Sequence, residues 1–211
     1  MNEEKLAIFD EEYNRVGERT RTEVHALGFW HETFHCWLAH FDDAESKIYI
    51  YFQLRSERKK DYPGLLDITA AGHILSQETI EDGVREIQEE LGLDIPYNDL
   101  ISAGIIKEEL NGTEMVDREL ANIYLYTKPV SFQNFSLQTD ELSGIFRTGL
   151  EEAEQLFKQE REEISLEGFI TDENSKIIYT NRSATIKDFV AHPLSYFVEV
   201  TNRIKVELLE K

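Results

Sequence analysis

A chain of 211 residues with 41% hydrophobic content and twelve phenylalanines can bury a real core, which excludes global disorder and suggests one domain with elaborations. Its 42 acidic residues against 22 basic ones leave a formal charge of −20, so nucleic acid and anionic membrane are excluded as partners for want of a cationic footprint. A single cysteine, Cys36, rules out a disulfide framework or a cysteine-rich zinc site within the chain; the charged N-terminal stretch and the lack of any 18-residue apolar run predict a cytoplasmic protein without a signal peptide.

In chain order, residues 4–9 (EKLAIF) predict a short strand, followed by a polar turn through Glu11–Gly17. FWHETFHCWLAHF (29–41) and KIYIYFQLRS (47–56) are rich in aromatic and β-branched residues and predict two strands joined by the polar turn DDAES. A loop with a proline at 59–64 leads into the extended segment LLDITAAGHI. A helix is predicted after Thr79, then strands at 100–110 and 119–127 about a turn at Asn111-Gly112. Charged amphipathic helices are predicted at Gly149–Glu163 and Pro193–Leu209. This mixed order favours an α/β or α+β domain with a mixed sheet over a regular doubly wound repeat. One domain spans 1–211, with an N-terminal strand and turn (1–28), a core (29–160) and a C-terminal extension (161–211).

The helical stretch GHILSQETIEDGVREIQEELGL (72–93) holds six acids around Arg85. Thr79 and Asp82 have the spacing of a capping box, and Gly92 is a C-terminal stop. At about 100° per residue, Ile80, Val84, Ile87 and Leu91 share an arc of about 60° facing a core. Glu86, Glu89 and Glu90 share another arc of about 100° beside it. Like charges at this spacing destabilise an isolated helix, and no lysine is interspersed. A bound Mg²⁺ or Mn²⁺ would reverse the sign of that repulsion. An acidic protein also acquires acidic helices from composition, so periodicity leaves both readings open.

The same residues resemble the Nudix box, G-x5-E-x7-R-E-U-x-E-E-x-G-U with U aliphatic. Gly72 and Glu78 keep the first interval, and REIQEELGL (85–93) matches the second half at every specified position. Six residues rather than seven separate Glu78 from Arg85, which in the family form a brace between loop and helix; Gly83 in this interval suggests local looseness. The expected fold is the Nudix fold, a mixed β-sheet sandwiched between helices, here with a C-terminal helical extension.

Residues 4–160 further resemble the Nudix branch that contains isopentenyl-diphosphate isomerase and its hydrolase relatives. WHETFHCW (30–37), YFQLRSERKKDYPGLLDITAAGH (51–73), VDREL (116–120) and TDELSGIF (139–146) carry that resemblance. The isomerases hold a second metal with histidines from the first two regions and glutamates; His31 and His73 match, and His25 matches more loosely. Where the isomerase has a catalytic cysteine in Cys-Gly-His, this chain reads Ala71-Gly72-His73, and alanine transfers no proton.

The resemblance therefore implies hydrolysis of a diphosphate linkage, in a nucleoside diphosphate linked to a group X or a related organic diphosphate, by a metal-activated water attacking phosphorus. It implies Mg²⁺ or Mn²⁺ held by Glu86, Glu89, Glu90 and the Gly72 carbonyl, with Glu89 or Glu119 as general base, Arg85 at the catalytic centre and Glu78 as its brace. An isoprenoid-diphosphate isomerase and a non-catalytic nucleotide-binding Nudix module are the alternatives. Partners are confined to a small diphosphate substrate, with self-association as a homodimer left open.

Other residues carry two readings each. Arg55 and Lys59, with Arg58 and Lys60, read as contacts to the diphosphate or as a solvated basic loop. His31 and His73 read as ligands or substrate contacts on the matched positions. His35 and His40 read as packing or surface histidines, and Asp140-Glu141 as helix-capping residues. Phe169, Tyr179 and Tyr196 are candidates for a pocket, with core packing expected for at least two of them.

Overall fold

The computed structural model describes residues 3–111, 116–172 and 176–209. Its strands are β1 (Lys5–Phe9), β2 (Arg15–Thr20), β3 (Trp30–Asp42), β4 (Lys47–Arg55), β5 (Leu66–Asp67), β6 (Ala70–His73), β7 (Ile101–Asn111), β8 (Val116–Tyr126), β9 (Leu142–Gly149), β10 (Ile164–Thr171) and β11 (Ile177–Ala184). Its helices are α1 (Arg21–Leu27), α2 (Arg85–Leu91), α3 (Leu150–Phe157) and α4 (Leu194–Leu209). The strands form one continuous network whose main path runs β11-β10-β9-β4-β3-β1-β2, with β8 and β6 branching from β3 within Trp30–Leu38 and β7 from β8. Every pairing between named strands is antiparallel except β3 with β8, which makes the sheet mixed.

The central strand β3 explains the layers. Phe34, Cys36 and Leu38 pack on one face with Ile87 and Leu91 of α2. Trp37 and Ala39 pack on the other with Leu156 and Phe157 of α3 and Phe197, Val200 and Ile204 of α4. A strand covered on both faces reads as a nearly continuous apolar and aromatic run, as β3 does. Helices thus lie on both faces of a mixed sheet, the expected architecture. Among the described residues no helix is long and apolar enough to cross a membrane.

Four local expectations need correction. The polar turn expected at 11–17 is shorter: it is the loop of a hairpin, β1–β2, in which Arg15–Gly17 already belong to β2, and α1 follows with a Thr20–Glu23 capping box and a left-handed Gly28 cap (φ 67°). The helix predicted over Gly149–Glu163 ends at Phe157, because Lys158–Glu163 offers no apolar residue to bury. The C-terminal extension is more than helical: β10 and β11 form a hairpin that continues the sheet beyond β9, ahead of α4. Asp140 and Glu141 precede a strand, β9, and cap no helix; they pair with Arg58 and Lys59. Of the predicted turn at Asn111-Gly112, Asn111 ends β7 and Gly112 lies outside the described residues; the flanking strands pair antiparallel.

Candidate active site

The acidic helix begins tighter than expected. Ile80–Val84 is a 3₁₀ turn, entered through the Thr79–Asp82 capping box, and only Arg85–Leu91 is α-helical before the left-handed Gly92 (φ 69°). A 3₁₀ segment rises about 2.0 Å per residue against about 1.5 Å for an α-helix, so a shorter stretch spans the distance between loop and helix. The brace forms despite the six-residue interval. Arg85 Nε donates to Glu78 Oε1 at 2.9 Å and its Nη2 to Glu78 Oε2 at 3.2 Å. Nη2 also donates to the carbonyl of His73 at 3.1 Å, while Glu78 accepts from the backbone of Leu75. Gly83 is a point of close packing rather than looseness, since a Cβ there would lie 2.7 Å from Phe34 and 2.8 Å from Ile74.

Gly72 has an equally specific reason: a Cβ at that position would occupy the space of the Glu86 carboxylate. Glu86, Glu89 and Glu90 all line one cleft of about 250 Å³, together with Glu4, Arg21, Lys59, Gly72, His73, Arg85 and Glu141. The three acids differ in burial, with side-chain exposure of 13% at Glu86 and 55% at Glu89, while Glu90 is buried and accepts from the backbone of Ala71 at 3.3 Å. Burial pushes the Glu86 pKa up to about 7; Glu89 and Glu78 add to the rise and Arg85 opposes it. Burial, followed by the Glu86 charge, lifts Glu90 well above the usual carboxylate range. Arg85 stands between Glu86 and Glu89, bonding both.

Across β6 lies a second group. His25 from α1, His31 from β3 and His73 from β6 bring ring nitrogens within 4.8 Å of one another, and a ring nitrogen of His31 lies within the same distance of carboxylate oxygens of Asp117 and Glu119, which are equally near each other. His25 and His73 meet Nε2 to Nε2 at 3.2 Å, and Asp117 Oδ1 is 3.4 Å from Nε2 of both His25 and His31. Parallel pairing of β3 with β8 sets His31 opposite Glu119 and so puts them on one face. His31 directs Nδ1 at the carbonyl of Phe29 at 3.1 Å, which leaves Nε2 buried and without a hydrogen-bond partner, as is Asp117 Oδ1. Burial, with His31 and Arg21 adding, holds His73 well below the usual histidine pKa, the neutral form a metal ligand needs. Orphaned buried nitrogen and oxygen atoms converging with carboxylates fit a divalent metal, and the imidazole content suits a borderline ion better than Mg²⁺. His73 belongs to both groups, since it also lines the cleft of Glu86, Glu89 and Glu90.

No protein-family model matches the chain. It is 39% identical over 197 residues to a Nudix hydrolase of Clostridium acetobutylicum, covering 93% of this chain and 95% of that one. The chain belongs to the Nudix hydrolase family. It is 30% identical over 166 residues to Nudix hydrolase 3 of Arabidopsis thaliana, covering 76% of this chain and 21% of that longer protein. An isopentenyl-diphosphate Δ-isomerase of Mycolicibacterium vanbaalenii is 28% identical over 119 residues, 51% of this chain and 63% of that one. A crystal structure from Deinococcus radiodurans superposes with a TM-score of 0.54 at 18% identity, over 74% of this chain and 88% of that one, a likeness of fold. As a Nudix hydrolase the protein acts on diphosphate linkages, and such enzymes generally use divalent metal ions.

Placement of the remaining candidates is mixed. Lys59 lines the cleft but its ammonium is paired with Glu141. Arg55 is absent from the cleft lining; it donates to Asp67 Oδ2 at 2.9 Å and to the carbonyl of Asp61, and is thereby committed to the protein itself. His40 stacks on Tyr49, a packing role. His35 is no mere packing histidine, because its Nε2 is 3.1 Å from Glu119. Phe169 and Tyr196 are buried and Tyr179 is 58% exposed. Asp117 and Arg21 were not singled out as site residues from the sequence. Asp117 sits two positions before Glu119 on the same strand face, which was its available signal.

Proposed function

We propose that this Nudix hydrolase cleaves the diphosphate linkage of a nucleoside diphosphate-X compound or a related organic diphosphate by in-line attack of water on phosphorus. The observation that carries the reading is the convergence of Glu86, Glu89 and Glu90 on one cleft beside Gly72, with Arg85 held between Glu78 and the box acids. Glu86, Glu89, Glu90 and the Gly72 carbonyl would hold Mg²⁺ or Mn²⁺, and His25, His31, His73, Asp117 and Glu119 a second ion of the Mn²⁺ or Zn²⁺ type. Bound cations would neutralise phosphate oxygens and lower the pKa of a water. Glu89, exposed in the cleft, would take the proton of that water. Glu119 is a poorer base: burial acts to raise its pKa, yet the hydrogen bond from His35 carries it well below the usual range, and Oε2 is already engaged by Thr33 and His35. Arg85 and Lys59 are the cations of the cleft closest in kind to a phosphate contact.

The isomerase reading draws on the histidine group and on the isomerase relative, but Ala71 supplies no proton at the position where the isomerase has cysteine. The deciding experiment incubates the protein and Mg²⁺ or Mn²⁺ with nucleoside diphosphate-sugars, dinucleoside polyphosphates and isopentenyl diphosphate, and separates the products. Monophosphate products that vanish in Glu89→Gln and Glu90→Gln are expected, with losses of about 100-fold or more. Full turnover by both variants sinks the assignment, and an isomerised diphosphate without phosphate release replaces it with the isomerase.

A further inference from the structure

Beneath Glu119 lies a buried polar chain that the proposed hydrolysis does not itself call for. Trp37 Nε1 donates to the hydroxyl of Tyr196 on α4 at 3.2 Å, and that hydroxyl is 2.8 Å from His35 Nδ1. His35 Nε2 is 3.1 Å from Glu119 Oε2, which also accepts from Thr33 Oγ1 at 3.1 Å. His35, Thr33, Trp37 and Tyr196 are each no more than 2% exposed.

The direction of this chain is fixed by chemistry. An indole N–H can only donate, so the Tyr196 oxygen accepts from Trp37. A carboxylate accepts, so the hydrogen of the His35 ring is on Nε2 and points at Glu119 Oε2. Nδ1 of the neutral ring is then an acceptor, and the Tyr196 hydroxyl donates to it. Two donors from β3 therefore pin Glu119 Oε2, and no hydrogen bond among the described residues reaches Oε1. One carboxylate oxygen is held and the other is left for a ligand.

The tyrosine is itself held. His192 stacks on its ring at 5.1 Å and 24° and bridges Glu108 Oε2 at 2.8 Å and Asp67 Oδ1 at 3.0 Å. Asp67 is the residue that takes up Arg55. The basic residue expected at the diphosphate thus anchors the far end of this network.

We propose that His35, set by Tyr196 of α4, is a positioning residue that fixes the Glu119 carboxylate for a metal shared with His25, His31, His73 and Asp117, making the C-terminal helix part of the active centre. This rests on the metal-dependent reading above. Partners that orient a ligating side chain typically alter metal affinity 10- to 100-fold when removed.

The test uses Co²⁺ on the full chain, because its visible absorption reports nitrogen ligation and separates the histidine group from the all-oxygen set of α2. His35→Ala is expected to weaken Co²⁺ binding about tenfold or more. Tyr196→Phe, which removes only the hydroxyl, should weaken it about threefold to tenfold, the range of one neutral hydrogen bond. His35→Gln, whose amide N–H can replace that of Nε2, should stay closer to wild type than His35→Ala. Lys205→Ala removes a tie between α4 and Glu154 away from Tyr196 and should leave affinity unchanged. Near-ultraviolet circular dichroism verifies that each variant is folded. Wild-type affinity in folded His35→Ala, or equal loss in His35→Ala and His35→Gln, overturns this proposal while the metal site stands. A wild-type protein that gives no nitrogen-ligated Co²⁺ spectrum overturns the histidine metal site, and this proposal with it.

Discussion

Glu86 carries a carboxylate into a place where its charge is poorly solvated, with a side chain only 13% exposed and a pKa pushed up to about 7, chiefly by burial. A carboxyl whose folded pKa lies above its unfolded value stabilises the fold in its protonated form, below about pH 4.5, and loses that contribution as pH rises through about 7. In chelator-treated protein, Glu86→Gln should match wild type at pH 4.5 and exceed it at pH 8 by up to about 3 kcal/mol. Calorimetric midpoints of both proteins across that range check the prediction, and a difference that does not change with pH contradicts the burial argument. The same residue illustrates what can be read from a linear motif. Glu78, Arg85, Glu86, Glu89 and Glu90 lie within thirteen residues, and helical geometry alone places the last three on one arc. His35 depends on Tyr196, 161 positions away, and His192 on Asp67, 125 positions away; no local spacing encodes such contacts.

At the scale of elements, the 3₁₀ turn Ile80–Val84 shows how the fold absorbs the short interval without losing the brace. Within it Gly83 is buried against Phe34 and Ile74. Helix propensity predicts that Gly→Ala stabilises by about 1 kcal/mol, whereas overpacking of a close contact costs about 1–3 kcal/mol. The contact distances below 3 Å decide for the second. Gly83→Ala is expected to destabilise by about 1–3 kcal/mol in urea unfolding, and a gain in stability would show that the turn is free to move off β3. The elements missed in the sequence had weaker signals than those found. Thr20, Glu23 and Gly28 were the cap residues of α1, but its seven residues bury only Val24 and so show no apolar stripe. In β10 the alternation of Ile164, Leu166 and Gly168 against Ser165 and Glu167 was present, and it was obscured by the charged run that extended the predicted helix to Glu163. The long strands β3, β4 and β8 and the helix α4 were legible because their apolar content is set by burial over many residues, whereas β7, mostly half-buried or exposed, was legible from its β-branched residues alone.

The charge of the whole molecule bears on both stability and rate. Five glutamates against three cationic side chains line the cleft, and those cations are already paired: Arg21 with Glu4, Lys59 with Glu141, Arg85 with Glu78, Glu86 and Glu89. A divalent ion that binds only the folded chain should therefore stabilise it, by about 2.7 kcal/mol at a hundredfold excess over Kd, which corresponds to a rise of about 5–10 °C in Tm. Scanning calorimetry with Mg²⁺ and after chelation measures this, and the rise should shrink in Glu90→Gln. The same field opposes a polyanionic substrate. With a net charge of −20 and no unpaired cation among those three cleft residues, approach of a diphosphate is repulsive at long range, and salt screens repulsion over a Debye length of about 10 Å at 0.1 M. At saturating divalent metal, kcat/KM should consequently rise as KCl increases from low to physiological concentration, while kcat, measured on bound substrate, stays nearly constant. A kcat/KM that falls with KCl would mean that Arg21, Lys59 and Arg85 leave their carboxylate partners to meet the substrate. In that event Lys59→Ala should weaken the fall of kcat/KM with KCl by about a third, whereas under repulsive control it should steepen the rise.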